Sequence, residues 1–271
     1  MIREQTELIE AKRLYCGTGF SNALRASTKL AADHWIISAG LGLIRADEKI
    51  PTYNLTLNGN GESGIRPRIK TDFNPQKWWE AINKSKRGIS TIAKLVTSRP
   101  KAAVILALSK PYLELIVSDL AAIPEKQLNR IRIVGPAKSQ NLPDIINDLI
   151  LPYDERLDGP RSPNRGTKSD FAQRAALHFA TAIWANNKNG SFLQHSNSLE
   201  ISLNTMGRTV IRLGEKKTDA EICEVIKDNW INCKGQSTIM LRMLRHQFNY
   251  ACEQSRFRKL FLIVRNEMKE M

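Results

Sequence analysis

Apolar positions follow two different periods along the chain, and the switches between them mark out the elements. Residues 13–17 (Arg-Leu-Tyr-Cys-Gly) read as a short buried strand ending in the turn Cys16-Gly17-Thr18-Gly19. A helix follows, capped by Ser21 or Asn22, with Leu24, Ala31 and neighbouring alanines as its apolar face. His34 to Ser38 forms the next strand and runs into Ala39-Gly40-Leu41-Gly42-Leu43, which gives a βαβ opening. Further on, Lys101 to Leu108 is a fully buried strand, Pro111 starts a helix over Tyr112 to Ala122, and Asn129 to Gly135 is another strand. This alternation predicts an α/β fold. It has a Rossmann-like or glycosylase-like parallel sheet covered on both faces, with ligands beyond the carboxyl ends of its strands.

The pattern changes after residue 166. Ser169 to Ala185 is helical, with Phe171, Ala175, Phe179 and Ala182 in its stripe. Leu199 to Leu203 and Thr209 to Leu213 alternate like two strands of a hairpin joined by Asn204-Thr205-Met206-Gly207. Thr218 and Glu221 form a capping box ahead of Ile222, Val225, Ile226 and Trp230. Ser237 caps a helix to Phe248, and a turn at Asn249-Tyr250-Ala251 leads into a last helix from Cys252 to Met268. The expected organisation is an α/β domain over residues 1–166 and, over 167–271, a mostly helical module with a hairpin. Such a module is compatible with a helix-turn-helix or winged helix.

Composition narrows the function classes. No stretch approaches the roughly 20 apolar residues of a membrane helix, and the N-terminus carries acids without an apolar leader, which points to a soluble cytoplasmic protein. Cys16, Cys223, Cys233 and Cys252 are scattered, and His34, His178, His195 and His246 have no metal-ligand spacing, so neither disulfides nor zinc are expected. The net charge is +14. It is spread over both halves, with 25 basic and 17 acidic residues up to residue 166 and 16 against 10 after it. A surplus of this kind attracts polyanions, and nucleic acid is the expected partner, although a generically basic protein would show the same charge.

Three segments carry candidate chemistry. Cys16, Gly17, Thr18, Gly19 and Phe20 place glycines between a strand and a helix, where backbone amides can meet a phosphate or a base edge. The full dinucleotide fingerprint and the P-loop Lys-Ser/Thr are missing, and a turn needed only for packing is the plain alternative. Ser38, Ala39, Gly40 and Leu41 precede Asp47, Glu48, Tyr53 and Asn54, which together make the kit of a base pocket. There an aromatic ring stacks on the base, amides read its edge, and a carboxylate orients water or steadies a sugar cation. Taken singly, Asp47 and Glu48 read better as solvated loop acids; it is as a group beside two Gly-rich turns that they become a site. The long loop at 151–168 mixes Asp158 with Arg161, Arg165 and Lys168, a composition that grips phosphate or fixes a domain junction by salt bridges. In the helical module Arg242, Arg245 and His246 lie off the apolar stripe, Arg256, Arg258 and Lys259 sit around the start of the next helix, and these basic residues are candidates for phosphate contact or simply a solvated face.

The run from Ile37-Ser38-Ala39-Gly40-Leu41 to Pro51-Thr52-Tyr53-Asn54-Leu55-Thr56-Leu57 resembles a bacterial group in which a Ser-Ala-x-x-Gly-Leu turn precedes Pro-x-Tyr-Asp-x-Thr-Leu. That group is similar to the uracil-DNA glycosylase superfamily and to domains of deazaguanine-modification enzymes. The resemblance covers about residues 11–57. It implies an anti-phage DNA glycosylase that excises glucosylated hydroxymethylcytosine from double-stranded DNA by base flipping and uses no cofactor or metal. Asn54 stands where that group more often has Asp, so Asp47, Glu48 or Asp158 would have to supply the carboxylate, or Asn54 itself position the water. Two alternatives stay open: a non-catalytic DNA-binding regulator, and a transglycosylase or nucleoside-processing enzyme acting on tRNA or free nucleosides.

Overall fold

The computed structural model describes residues 8–57, 63–69, 72–84, 88–208 and 214–270. The chain divides into two units, Met1–Thr209 and Val210–Met271. The first opens with β1 (Ile9–Glu10), α1 (Ala11–Leu14), α2 (Thr18–Leu30), β2 (Trp35–Ser38), β3 (Gly42–Arg45) and β4 (Lys49–Ile50). β2 and β3 form an antiparallel hairpin with Ile36 opposite Ile44, and β1 pairs antiparallel with β4. The expected βαβ opening is therefore corrected. Gly42, at φ +70°, lets the chain reverse directly after Ala39–Leu41, so β2 pairs with the strand that follows it rather than with one before α2. The expected strand at 13–17 is corrected as well. Residues 11–14 make one helical turn instead, because the Ala11 and Lys12 amides donate to the carbonyls of Glu48 and Ala46, both at 2.8 Å.

The middle of the unit contains α3 (Pro75–Lys84), α4 (Ile92–Ser98), β5 (Val104–Ala107), α5 (Lys110–Leu115), α6 (Val117–Ala121), α7 (Glu125–Leu128), β6 (Ile131–Val134) and α8 (Asp144–Asn147). The parallel arrangement expected here is present: Val104 faces Ile131, Ala107 faces Val134, and Ile150 bridges to Ile133 in the same sense. The crossover is helical as expected, although it breaks at Ile116. Leu106, Leu113, Leu120, Ile131, Ile133 and Trp79 form its core. Asp119, buried in α6, accepts the Ile92 and Ala93 amides at 2.6 and 3.1 Å and Trp79 Nε1 at 3.2 Å, and so caps α4 from a distance.

Next come α9 (Phe171–His178), a π-turn at Phe179–Ile183, a 3-10 turn at Trp184–Asn186, and α10 (Phe192–Met206). The helical reading of 169–185 holds. The hairpin does not: Leu199, Leu203 and Met206 are buried at helical spacing, with Ser191 and Gln194 as capping box. The other expected strand, residues 209–213, lies outside the described residues. Ala175, Ala176 and Leu177 of α9 share one core with Ala26 of α2 and Val134 of β6. Residues 167–208 thus belong to the first unit, and the expected boundary after 166 moves to 209.

The second unit comprises β7 (Glu215–Lys216), α11 (Asp219–Asp228), α12 (Ser237–His246), β8 (Tyr250–Ala251) and α13 (Gln254–Glu270). All three helices were expected, and the Thr218–Glu221 capping box is present. Gln236 rather than Ser237 precedes α12 as its N-cap. After Asn249, at φ +54°, the expected turn becomes β8, which pairs in parallel with β7. Ile222, Ile226, Met240, Leu244, Phe257 and Phe261 fill the core, and Trp230 stacks on Phe261 with centroids 5.3 Å apart.

Candidate functional site

Of the residues expected to receive a base, the structure brings five together: Phe20, Ser38, Gly40, Leu41 and Tyr53. Phe20, Leu41 and Tyr53 pack on one small core with Tyr15, and the Tyr53 hydroxyl meets both Ser38 Oγ and Tyr15 Oη. Ser38 is held in place because the Leu41 and Gly40 amides donate to its oxygen at 3.0 and 3.3 Å. Gly40 lies under the Tyr53 ring, where an added Cβ would come within 3.2 Å of Cε2. Phe20 contacts Tyr15 at 5.5 Å and meets His34 edge-on at 5.6 Å. Burial pushes the Tyr15 and Tyr112 phenols up, and nearby Tyr53 adds to both shifts. Tyr15 is thus a neutral hydroxyl at physiological pH rather than a base.

The glycine turn itself serves packing. Gly17, at φ +99°, provides the N-cap of α2, and an added Cβ on Gly19 would sit 3.3 Å from Asp170 Cβ, so this glycine sets the approach of α2 to the start of α9. Cys16 and Thr18 are exposed beside it, and Ala39 is buried, with its carbonyl accepting from Trp78 Nε1 at 2.7 Å.

The candidate catalytic acids are each engaged elsewhere. Exposed Asp47 receives Arg45 Nε and Nη2 at 2.9 and 2.8 Å, and this guanidinium holds its carboxyl below the usual range. Glu48 accepts the Arg45 amide at 3.2 Å in the same turn. Asn54 is exposed. Asp158 receives Arg174 Nη1 at 2.7 Å and the Gly166 amide at 2.9 Å. Arg174 is almost wholly buried and also donates to Asp170, Asn164 O and Thr167 O. The loop at 151–168 is therefore fastened by salt bridges, the plainer of its two expected roles. Arg161 is tied to Thr205 O at 2.6 Å, while Arg165 and Lys168 are exposed.

The second unit has a groove of about 930 Å³ lined by Lys216, Lys217, Arg245, His246, Tyr250 and Arg256, with Glu253 as the acid in its wall. Lys217 lies over the Tyr250 ring at 5.3 Å and pairs with Glu215 at 2.9 Å and Glu221 at 3.4 Å. Arg256 donates to Asp219 at 2.7 Å and to Lys217 O at 2.8 Å, and Arg245 spends one N–H on Cys252 O at 3.0 Å. The side chains of Lys216 and His246 have no ion-pair or hydrogen-bond partner among the described residues. Of the expected phosphate contacts, Arg245, His246 and Arg256 line this groove; Arg242, Arg258 and Lys259 are exposed outside its lining. The sequence reading singled out His246 beside Arg245 but missed Tyr15, Arg174, Lys216, Lys217 and Tyr250 as site residues. The adjacent lysines after Gly214 were a usable signal for the groove, whereas nothing local marks Arg174.

All four cysteines are free. Among the described residues no helix is long and apolar enough to cross a membrane, and no group of His, Cys, Asp and Glu has the geometry to hold a metal ion. Comparison of the chain with protein families, curated proteins and solved structures finds no match.

Proposed function

We propose that this protein binds nucleic acid through the basic groove of its C-terminal unit. The observation that carries the reading is the convergence of Lys216, Lys217, Arg245, His246 and Arg256 on one concave surface with a single acid, Glu253, in the lining. Asp219, Glu215 and Glu221 already neutralise part of this charge, which leaves Lys216, His246 and the remaining N–H groups of Arg245 for an incoming anion. Spaced cations around a groove suit successive phosphates, and the surplus of +14 over the whole chain favours a polyanion over a small anion. Fluorescence anisotropy with labelled duplex and single-stranded oligonucleotides, titrated at several salt concentrations, tests this. Neutralising about three phosphates gives a log–log slope near about −2.7 on duplex DNA. Affinity weaker than about 1 mM at low salt, or no salt dependence, rejects the reading.

A second reading is base excision by a glycosylase-like N-terminal unit, favoured by the meeting of Phe20, Ser38, Leu41 and Tyr53 with Tyr15. The rings would stack on an extruded base and the hydroxyls would read its edge. Asp47 and Asp158 are committed to arginines, so the acid or water-positioning group would be Glu48 or Asn54. Alkali-labile sites in phage DNA carrying glucosylated hydroxymethylcytosine support this reading; intact DNA at stoichiometric protein refutes it.

A further inference from the structure

Helix α10 is fastened to its unit by buried polar groups as well as by its apolar stripe. His195, fully buried, accepts Arg132 Nε–H of β6 on Nδ1 at 3.1 Å and donates from Nε2 to Asn187 O at 2.7 Å. Ser202 meets His178 Nε2 at 3.0 Å, and His178 Nδ1 meets the buried Tyr153 hydroxyl at 2.9 Å. Glu200 and Asn204 receive Arg156 Nη1, both at 2.6 Å, and Arg156 also holds Asp154. The π-turn after His178 brings Phe179 and Trp184 against the His195 ring at 5.3 and 5.6 Å. Bulges of this type break helical register and recur at functional positions.

These bonds fix the protonation state. His195 holds its contacts only as the neutral Nε2–H tautomer. A second proton on Nδ1 would face the Arg132 N–H, setting two donors and two cations 3.1 Å apart. The other bonded partners of Arg132 are the carbonyls of Asn129, Ile131 and Gly190, none of which carries a neutralising charge. His178, between two hydroxyls, likewise has no anion in contact.

We propose that α10 is an acid-released latch: proton uptake by His195 and His178 detaches it from β6 and α9 while the rest of the unit stays folded. Burial supports this, because it holds His178 down to about 4 and lowers His195, so that both take up protons far more readily once the helix has opened. Arg156 keeps Glu200 below the usual carboxylate range, and it outweighs burial at Asp154, so these acids stay charged while the histidines titrate. The buried Tyr153 phenol is pushed upward and stays neutral.

Hydrogen exchange with mass spectrometry on the full chain between pH 7.5 and 5.0, corrected for intrinsic exchange, tests the latch. Protection in α10 is expected to fall with pH below about 6.5, approaching about tenfold per unit for each histidine, and to lie well below that of α4, which opens only with the whole unit. The double variant His178→Gln/His195→Gln should lose this dependence; if it does not fold, the comparison of α10 with α4 in the wild-type chain decides. Protection in α10 that is constant over this range, that equals that of α4 at every pH, or that still depends on pH in the folded double variant overturns the proposal.

Discussion

Replacing Arg174 by Met removes the centre of the network that fixes the 151–168 loop. The side chain keeps its volume and apolar stem but loses its bonds to Asp170 at 2.8 Å, Asp158 at 2.7 Å, and the Asn164 and Thr167 carbonyls, both at 2.6 Å. Asp170 is then left buried, with only the Thr167 amide and hydroxyl donating to it. Breaking a buried ion pair from one side costs about 3–5 kcal/mol, because the remaining charge stays out of water without its counter-ion. Asp158 is one-third exposed and recovers much of its loss by solvation, so Asp158→Asn should cost only about 1 kcal/mol. Arg174→Lys should fall between, since one ammonium cannot serve four separated acceptors. Urea unfolding followed by circular dichroism should show the Arg174→Met midpoint lowered by roughly 2 M for a slope of about 2 kcal/mol/M. A loss below about 1 kcal/mol would refute the argument: the network would then be dispensable to the fold.

The N-terminal unit should lose stability in acid. His178 is neutral when folded and the unfolded chain binds the extra proton, so stability is full above about 6.5 and falls as pH drops toward 4, by about 3 kcal/mol from this group. Urea midpoints at pH 7, 5.5 and 4 measure it, and midpoints that rise toward acid contradict it. Tyr53→Phe removes the hydroxyl shared by Ser38 and Tyr15 and should lower stability by about 1–2 kcal/mol in thermal melts. Exposed Cys16 should react with iodoacetamide in the folded protein, Cys223 more slowly, and buried Cys233 and Cys252 only after unfolding, as peptide mass spectrometry will show.

The parts of the fold that were legible are those whose signals are local. The strand within 101–108, shorter and less buried than expected, Pro111 at the helix start and the Thr218–Glu221 box each state their own structure within a few residues. The readings that failed depended on partners distant in sequence. Leu199, Ile201 and Leu203 alternate like a strand, yet Ile201 is exposed while Leu199 and Leu203 lie one helical turn apart in the core. Residues 34–38 do form a strand, but their partner is the strand directly after Gly42, and no local signal says with which neighbour a strand pairs. At the candidate sites the same division holds. Phe20, Ser38, Leu41 and Tyr53 follow from two turns that do meet, whereas the fate of Asp158 was decided by Arg174, sixteen residues further along the chain and invisible to any local pattern.

The claim that the C-terminal groove receives nucleic acid rests on Lys216 and Arg245 more than on the other exposed cations. Affinity of the full chain for one labelled oligonucleotide, measured against salt for wild type, Lys216→Ala/Arg245→Ala and Arg258→Ala/Lys259→Ala, tests it most directly. The groove variant should bind at least about tenfold more weakly with its salt slope reduced by about two, and the α13 variant should change less. Unaltered binding by the groove variant, or a larger loss from Arg258 and Lys259, would contradict the assignment.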